Sequence, residues 1–316
     1  MDVLTSPVIL FFVLGGAAAL IRSDLAVPEM VSKAVTLYLL AAIGLKGGVQ
    51  LSESGYSDDL VIAGFAGVAL SFLLPLPAFW VVRWLGRLNR ADAGAVAAHY
   101  GSVSVVTFVT GIEVLKDVGL PAEGYMVAVM ALMEAPAILT GLWLARAGRE
   151  RGEPGSMHLA EALTNGSVVL LAGSFVIGLV VGREGFVAVA PLFEGGFRGM
   201  LCLFLLDMGL TAARQLMRSK NMTPALGVSA IGLALLNGMI GVGVGTMAGM
   251  SPGSAAALGI LAGSASYIAA PAAVRVALPH ANIGLSLTMS LAITFPFNVI
   301  VGIPFIVAMA RWLGAA

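Results

Sequence analysis

Charge is scarce in this sequence. Only 11% of its 316 residues are Asp, Glu, Lys or Arg, whereas a water-soluble domain has roughly a quarter of its residues charged. A soluble fold is thereby excluded, and 59% hydrophobic residues place the chain in a bilayer instead. Cysteine is nearly absent. The one thiol, Cys202, lies in an apolar run; it excludes an internal disulfide and reads as a small buried hydrophobe. There is no glycine-rich phosphate loop, no His-Glu metal pair of the His-Glu-x-x-His kind and no clustered Cys or His, which argues against an ATP-driven pump. No enzyme and no resident cofactor are expected. Basic and acidic residues balance at 17 each, so nothing favours nucleic acid as a partner.

What the sequence has in plenty is long apolar runs, together with 40 glycines and 14 prolines. A hydrocarbon core about 30 Å thick takes roughly 20 apolar residues per helix. Breaking the runs at charge clusters gives about ten spans, at 6–22, 28–50, 59–82, 92–112, 122–146, 164–182, 196–216, 223–248, 254–276 and 284–312. The first run follows Asp2 rather than a basic segment, so it reads as a retained span and not a signal peptide. With alternating loops, Arg22, Arg83–Arg90, Arg146–Arg151, Arg214–Lys220 and Arg275 share one face, against Lys116, Arg183, Arg198 and Arg311 on the other. The richer face is cytoplasmic by the positive-inside rule, which places both termini outside the cell membrane.

The sequence carries an internal symmetry. "IGLKGGVQL" (43–51) aligns with "MGLTAARQL" (208–216), "GSVS" (101–104) with "GSAS" (263–266), and Pro136 in "MEAPA" with Pro296 in "TFPFN". The three matches keep their order at a nearly constant offset. The expected fold is therefore an all-α membrane protein of two five-helix repeats, 1–150 and 164–316, joined by a cytoplasmic linker at 151–163. An odd number of spans per repeat inverts the second against the first.

The paired motifs carry the chemistry. Glycine followed by small hydroxyl residues lowers the cost of interrupting a helix, since Ser and Thr oxygens replace lost backbone partners. Gly101, Ser102, Val103 and Ser104 in span four, and Gly263, Ser264, Ala265 and Ser266 in span nine, are therefore expected to be facing breaks that bind substrate. Half-helix N-termini suit an anion, and freed oxygens suit Na⁺. Ionisable residues inside spans are costly and point to function. Glu134, beside Pro136, is the first candidate for a cation or proton site, with Thr294 and Asn298 as neutral ligands around Pro296. Asp207, Lys46 and His99 are weaker candidates, each with a structural alternative in packing or snorkelling.

These pieces resemble the sodium-dependent bicarbonate transporters first associated with cyanobacteria, and their wider bacterial superfamily. The resemblance runs through "VPE" (27–29), "IGLKGG", "YGSVSVVT", "MEAPA", "FRGMLCLFLLDMG" (197–209), "GSASYIAAPAAVR" (263–275) and "TFPFNVIVGIP" (294–304). It implies a substrate-carrying core, a gate domain, a homotrimer and elevator-like symport of bicarbonate with Na⁺. On that basis Thr107, Glu134, Tyr267, Thr294 and Asn298 are the expected Na⁺ ligands. Two positions depart from the family pattern: Tyr267 stands where an aspartate is usual, and Glu134 replaces a shorter aspartate. Weaker or altered Na⁺ coupling is the consequence expected. The short linker speaks against the PII-like regulatory partner that some members bind. Two other functions fit the same residues: a carrier of similar architecture that takes another small organic anion or is driven by protons through Glu134, or a membrane sensor or scaffold that keeps the fold without transport.

Overall fold

The chain, described by a computed structural model over residues 7–54, 58–146, 166–219 and 222–314, is helical with no strand among those residues. The expected linker at 151–163 lies outside the described residues. In chain order the helices are α1 (Pro7–Leu20), α2 (Glu29–Ser54), α3 (Asp58–Leu73), α4 (Pro75–Trp84), α5 (Arg90–Gly101), α6 (Val105–Asp117) and α7 (Met126–Arg146). They continue with α8 (Gly166–Val187), α9 (Phe197–Arg218), α10 (Pro224–Met247), α11 (Pro252–Ala262) and α12 (Ala269–Ala277). A last helical run, α13 (Ile283–Gly314), takes π-helical turns at Thr288–Thr294 and Asn298–Gly302 on either side of Pro296, which has no N–H to give the ladder.

Among the described residues, eight stretches are long and apolar enough to cross a membrane; α1 and α11 are apolar but shorter. The chain is a multi-pass membrane protein. Helix starts follow local signals. Asn89 accepts from Asp92 N–H at 2.9 Å ahead of α5, and Thr223 and Ser251 precede Pro224 and Pro252 at the first helical positions of α10 and α11. Inside α8, Gly182 has φ 57°, a conformation only glycine adopts without strain.

Two packing groups result. In the first, α1 lies along α9 and α2 along α8, with α2 also touching α9. Their seams are glycine: a side chain at Gly15 would strike the Leu206 carbonyl, at Gly209 that of Phe12, at Gly48 that of Phe175 and at Gly178 that of Leu45. Lipid supplies no hydrophobic drive between helices, so this backbone approach is what the pairing rests on. The second group gathers α3, α4, α5 and α7 on one side and α10, α11 and α13 on the other, with α6 and α12 among them. Pro136 interrupts the ladder of α7, and there the Ser71 hydroxyl donates to the Met133 carbonyl and accepts from Ala137 N–H (3.0 Å), bridging groups four residues apart.

Candidate functional site

Both small-residue motifs break their helices. α5 stops at Gly101, which lies so close to Pro75 that any side chain would collide with it, and residues 102–104 run extended before α6 begins. α11 stops before Gly263, residues 264–266 are likewise non-helical, and α12 begins at Ala269. The two breaks are bonded to each other. Ser104 N–H donates to Ser264 Oγ at 2.8 Å, and Ser266 N–H donates to the His99 carbonyl at 2.8 Å.

The orphan groups at the breaks find partners, as buried polar groups must. Asn298 Nδ2 donates to the Gly263 carbonyl (2.8 Å), Asn237 Nδ2 to that of Tyr100 (3.3 Å) and Ser264 Oγ to that of Leu261 (2.7 Å). Ser102 Oγ reaches across to the Glu134 carbonyl at 3.1 Å. At the opposite ends, Ser104 Oγ accepts from Thr107 N–H (3.2 Å) and Ser266 Oγ from Ala270 N–H (3.3 Å). Each half-helix N-terminus is thus capped by the second serine of its own motif.

Between these ends lies a narrow cavity of about 20 Å³, space for the centre of one water-sized group. Val103, Ser104, Val105 and Val106 form its α6 side; Ser266, Tyr267 and Ile268 form its α12 side. Glu134 from α7 completes the polar wall, only 6% exposed, and has no ion-pair partner among the described residues. Thr36, Leu39 and Leu40 of α2 and Leu201 and Phe204 of α9 close it with an apolar lid from the first packing group. The Tyr267 phenol packs on Phe295, with ring centroids 5.5 Å apart; its oxygen lies beside Ser104 without meeting hydrogen-bond geometry.

The electrostatics are mixed by construction. Two helix N-termini bring partial positive charge to the cavity, and one carboxylate brings negative charge. The space as it stands takes a single small group, so an anion and a cation held together would require it to widen, with Glu134 and the hydroxyl oxygens then open to the cation. A hard monovalent cation takes several oxygen ligands, and Ser104, Ser266, Tyr267 and Glu134 offer them on one wall.

The expected substrate residues divide by role. Val103, Ser104 and Ser266 line the cavity, Ser102 and Ser264 are spent on backbone partners, Gly101 and Ala265 pack, and Gly263 borders a second hollow. The expected Na⁺ ligands are not one group. Glu134 and Tyr267 share the main cavity; Thr107 and Asn298 sit together with Gly263 in a separate hollow of about 10 Å³. Thr294 meets the Tyr100 hydroxyl at 2.6 Å. Of the weaker candidates, Asp207 accepts from Ser32 Oγ at 2.5 Å within the first packing group, His99 Nδ1 donates to the Ala95 carbonyl at 2.7 Å, and Lys46 lies elsewhere. The apolar lid residues and Ser71 escaped the sequence reading because nothing local marks them; only packing makes them part of the site.

A family model, that of the Na⁺-dependent bicarbonate transporter superfamily, matches residues 7–311. No curated protein matches the sequence.

Proposed function

Because the chain belongs to that superfamily, we propose that it is a secondary carrier that moves a small anion, bicarbonate foremost, together with Na⁺. The observation that carries this reading is that Val105, at the start of α6, and Ser266, Tyr267 and Ile268, just ahead of the start of α12 at Ala269, line one cavity with Glu134. Neutral peptide dipoles bind an anion without a counter-charge that would hold it too tightly to release.

The ten-span, inverted-repeat reading draws support from the pairing of helices. If spans one to five repeat as six to ten, the α1–α9 seam and the α2–α8 seam are the same contact seen twice, and both are built on glycine. In this reading the first packing group is the gate and the second, with both broken helices, is the core that carries cargo across it. The resemblance supplies a homotrimer as the frame for that movement.

A second reading has an observation of its own. Among the described residues Glu134 is the one carboxylate lining the cavity, and Tyr267 offers a neutral phenol there. A proton carried by Glu134 would then replace Na⁺ as the coupling ion. Uptake of labelled bicarbonate into proteoliposomes separates the two. An inward Na⁺ gradient at equal pH drives uptake in the first reading, a pH gradient without Na⁺ drives it in the second, and uptake under neither excludes both.

A further inference from the structure

A second cavity, about 400 Å³, opens between α2 and α8 on one side and the C-terminal half of α6 with the start of α7 on the other. It is stacked on the first along one seam. On α2 the first cavity takes Thr36, Leu39 and Leu40 and the second takes Ile43 and Lys46; on α6 the first takes residues up to Val109 and the second takes Phe108, Ile112 and Glu113. From Leu40 to Lys46 the helix rises about 9 Å. Leu40, Ile43, Phe108 and Val109 form the apolar neck between the two.

The charges in this chamber are not equivalent. Glu113 is held by Arg198 (3.4 Å), Glu53 faces Arg183 (3.9 Å), and Glu123 accepts from Ser254 Oγ (3.0 Å). Lys116 and Glu194 are exposed. Lys46 is different: it is partly buried, its ammonium lies 3.7 Å from the centre of the Phe197 ring, and it has no carboxylate within ion-pair distance among the described residues. An aromatic face holds a cation without cancelling its charge. The chamber's lining carries both signs, Lys46, Lys116 and Arg183 against Glu53, Glu113, Glu123 and Glu194, and of its cations Lys46 is the one next to the neck on α2.

We infer that Lys46 forms an anion-receiving station in this chamber, where a small inorganic anion of the bicarbonate class docks before passing the Leu40–Phe108 neck. The orientation that puts the Arg-rich loops in the cytoplasm makes this the extracellular side. The inference rests on the proposed carrier function for its role, though not for anion binding itself.

Two measurements on the purified full chain test it. The first is the rate at which an amine-reactive reagent modifies each lysine, read by peptide mass spectrometry in bicarbonate and in gluconate. Bicarbonate should slow modification at Lys46 several-fold and leave the exposed Lys33 unchanged. Equal rates at Lys46, or a Lys46 that the reagent never reaches, overturn the station. This readout stands whether or not the protein transports. The second is uptake in proteoliposomes: Lys46→Gln should raise the KM for bicarbonate by about tenfold at unchanged Na⁺ half-saturation, with Lys46→Arg close to the parent. A changed Na⁺ response at constant bicarbonate KM assigns Lys46 to the cation path and overturns the proposal. Should Lys46→Gln fail to fold, Lys46→Cys in a Cys202→Ser background replaces it. A reagent adding an ammonium should then restore the low KM and one adding a sulfonate should not; equal effects contradict the station. A parent that takes up no bicarbonate under any gradient defeats the carrier reading and leaves the lysine-protection result to decide on Lys46.

Discussion

Glu134 has to be held by its surroundings, because a carboxylate inside a membrane span is costly unless a partner or a task retains it. It is buried in α7 next to Pro136, on the wall where both broken helices end, and the described residues offer it no cation. Glu134→Gln keeps the shape and removes the charge. Uptake should fall by about tenfold or more, the factor that roughly 1.4 kcal/mol of lost ion binding produces, while expression and detergent stability stay at parental levels. Tyr267→Asp works in the opposite direction: a carboxylate in place of the neutral phenol adds a charged oxygen to the cavity, so the Na⁺ concentration giving half-maximal uptake should drop. Na⁺ titrations of the parent and variant check the sign. At this scale the serine motifs were legible because a glycine and two hydroxyls in an apolar run signal an interrupted helix. The division of the Na⁺ candidates was not. Successive α6 residues turn by about 100°, so Val105, Val106 and Val109 face the main cavity while Thr107 faces the hollow with Asn298.

Among the helices, the apolar runs announced nearly every element to within a few residues, since the length of a membrane helix is set by the bilayer. What they concealed was which helix lies on which. The α2–α8 seam depends on Gly48 meeting the Phe175 carbonyl and Gly178 meeting that of Leu45, contacts between residues more than a hundred positions apart. Gly48→Leu forces those backbones apart. A loss of about 1–3 kcal/mol is the usual cost of overpacking a close contact, seen as a lower unfolding temperature in detergent; an unchanged temperature would mean the seam is looser than the structure shows. Ser71→Ala tests the joint in α7 on a different readout. It leaves Ala137 N–H and the Met133 carbonyl without their hydroxyl bridge beside Glu134, and an unsatisfied buried group costs about 1–3 kcal/mol. Uptake should therefore decline along with stability.

For the molecule as a whole, carrying cargo requires the two packing groups to move against each other. Arg198 of α9, at the edge of the first group, pairs with Glu113 and Asp117 of α6 in the second. In an elevator-like cycle these pairs have to break and re-form. With Cys202→Ser as background, cysteines at Arg198 and Asp117 joined by a short bifunctional thiol reagent should stop uptake, whereas the unjoined pair should continue to transport. Transport that persists when joining is complete would mean that the two groups travel together. The grouping itself was only partly readable from the chain: the repeated motifs pointed to two similar halves, but the seams unite helices across halves, α1 with α9 and α2 with α8.

The central claim is that a small anion binds where the two broken helices meet. A structure determined by electron microscopy in sodium bicarbonate tests it most directly. The account predicts density for a planar anion at hydrogen-bonding distance, about 2.7–3.2 Å, from backbone N–H groups at the starts of α6 and α12, with Ser104 and Ser266 beside it and Glu134 on the same wall. Density confined to the Lys46 chamber, or a continuous helix through residues 101–105 or 263–269, would contradict it.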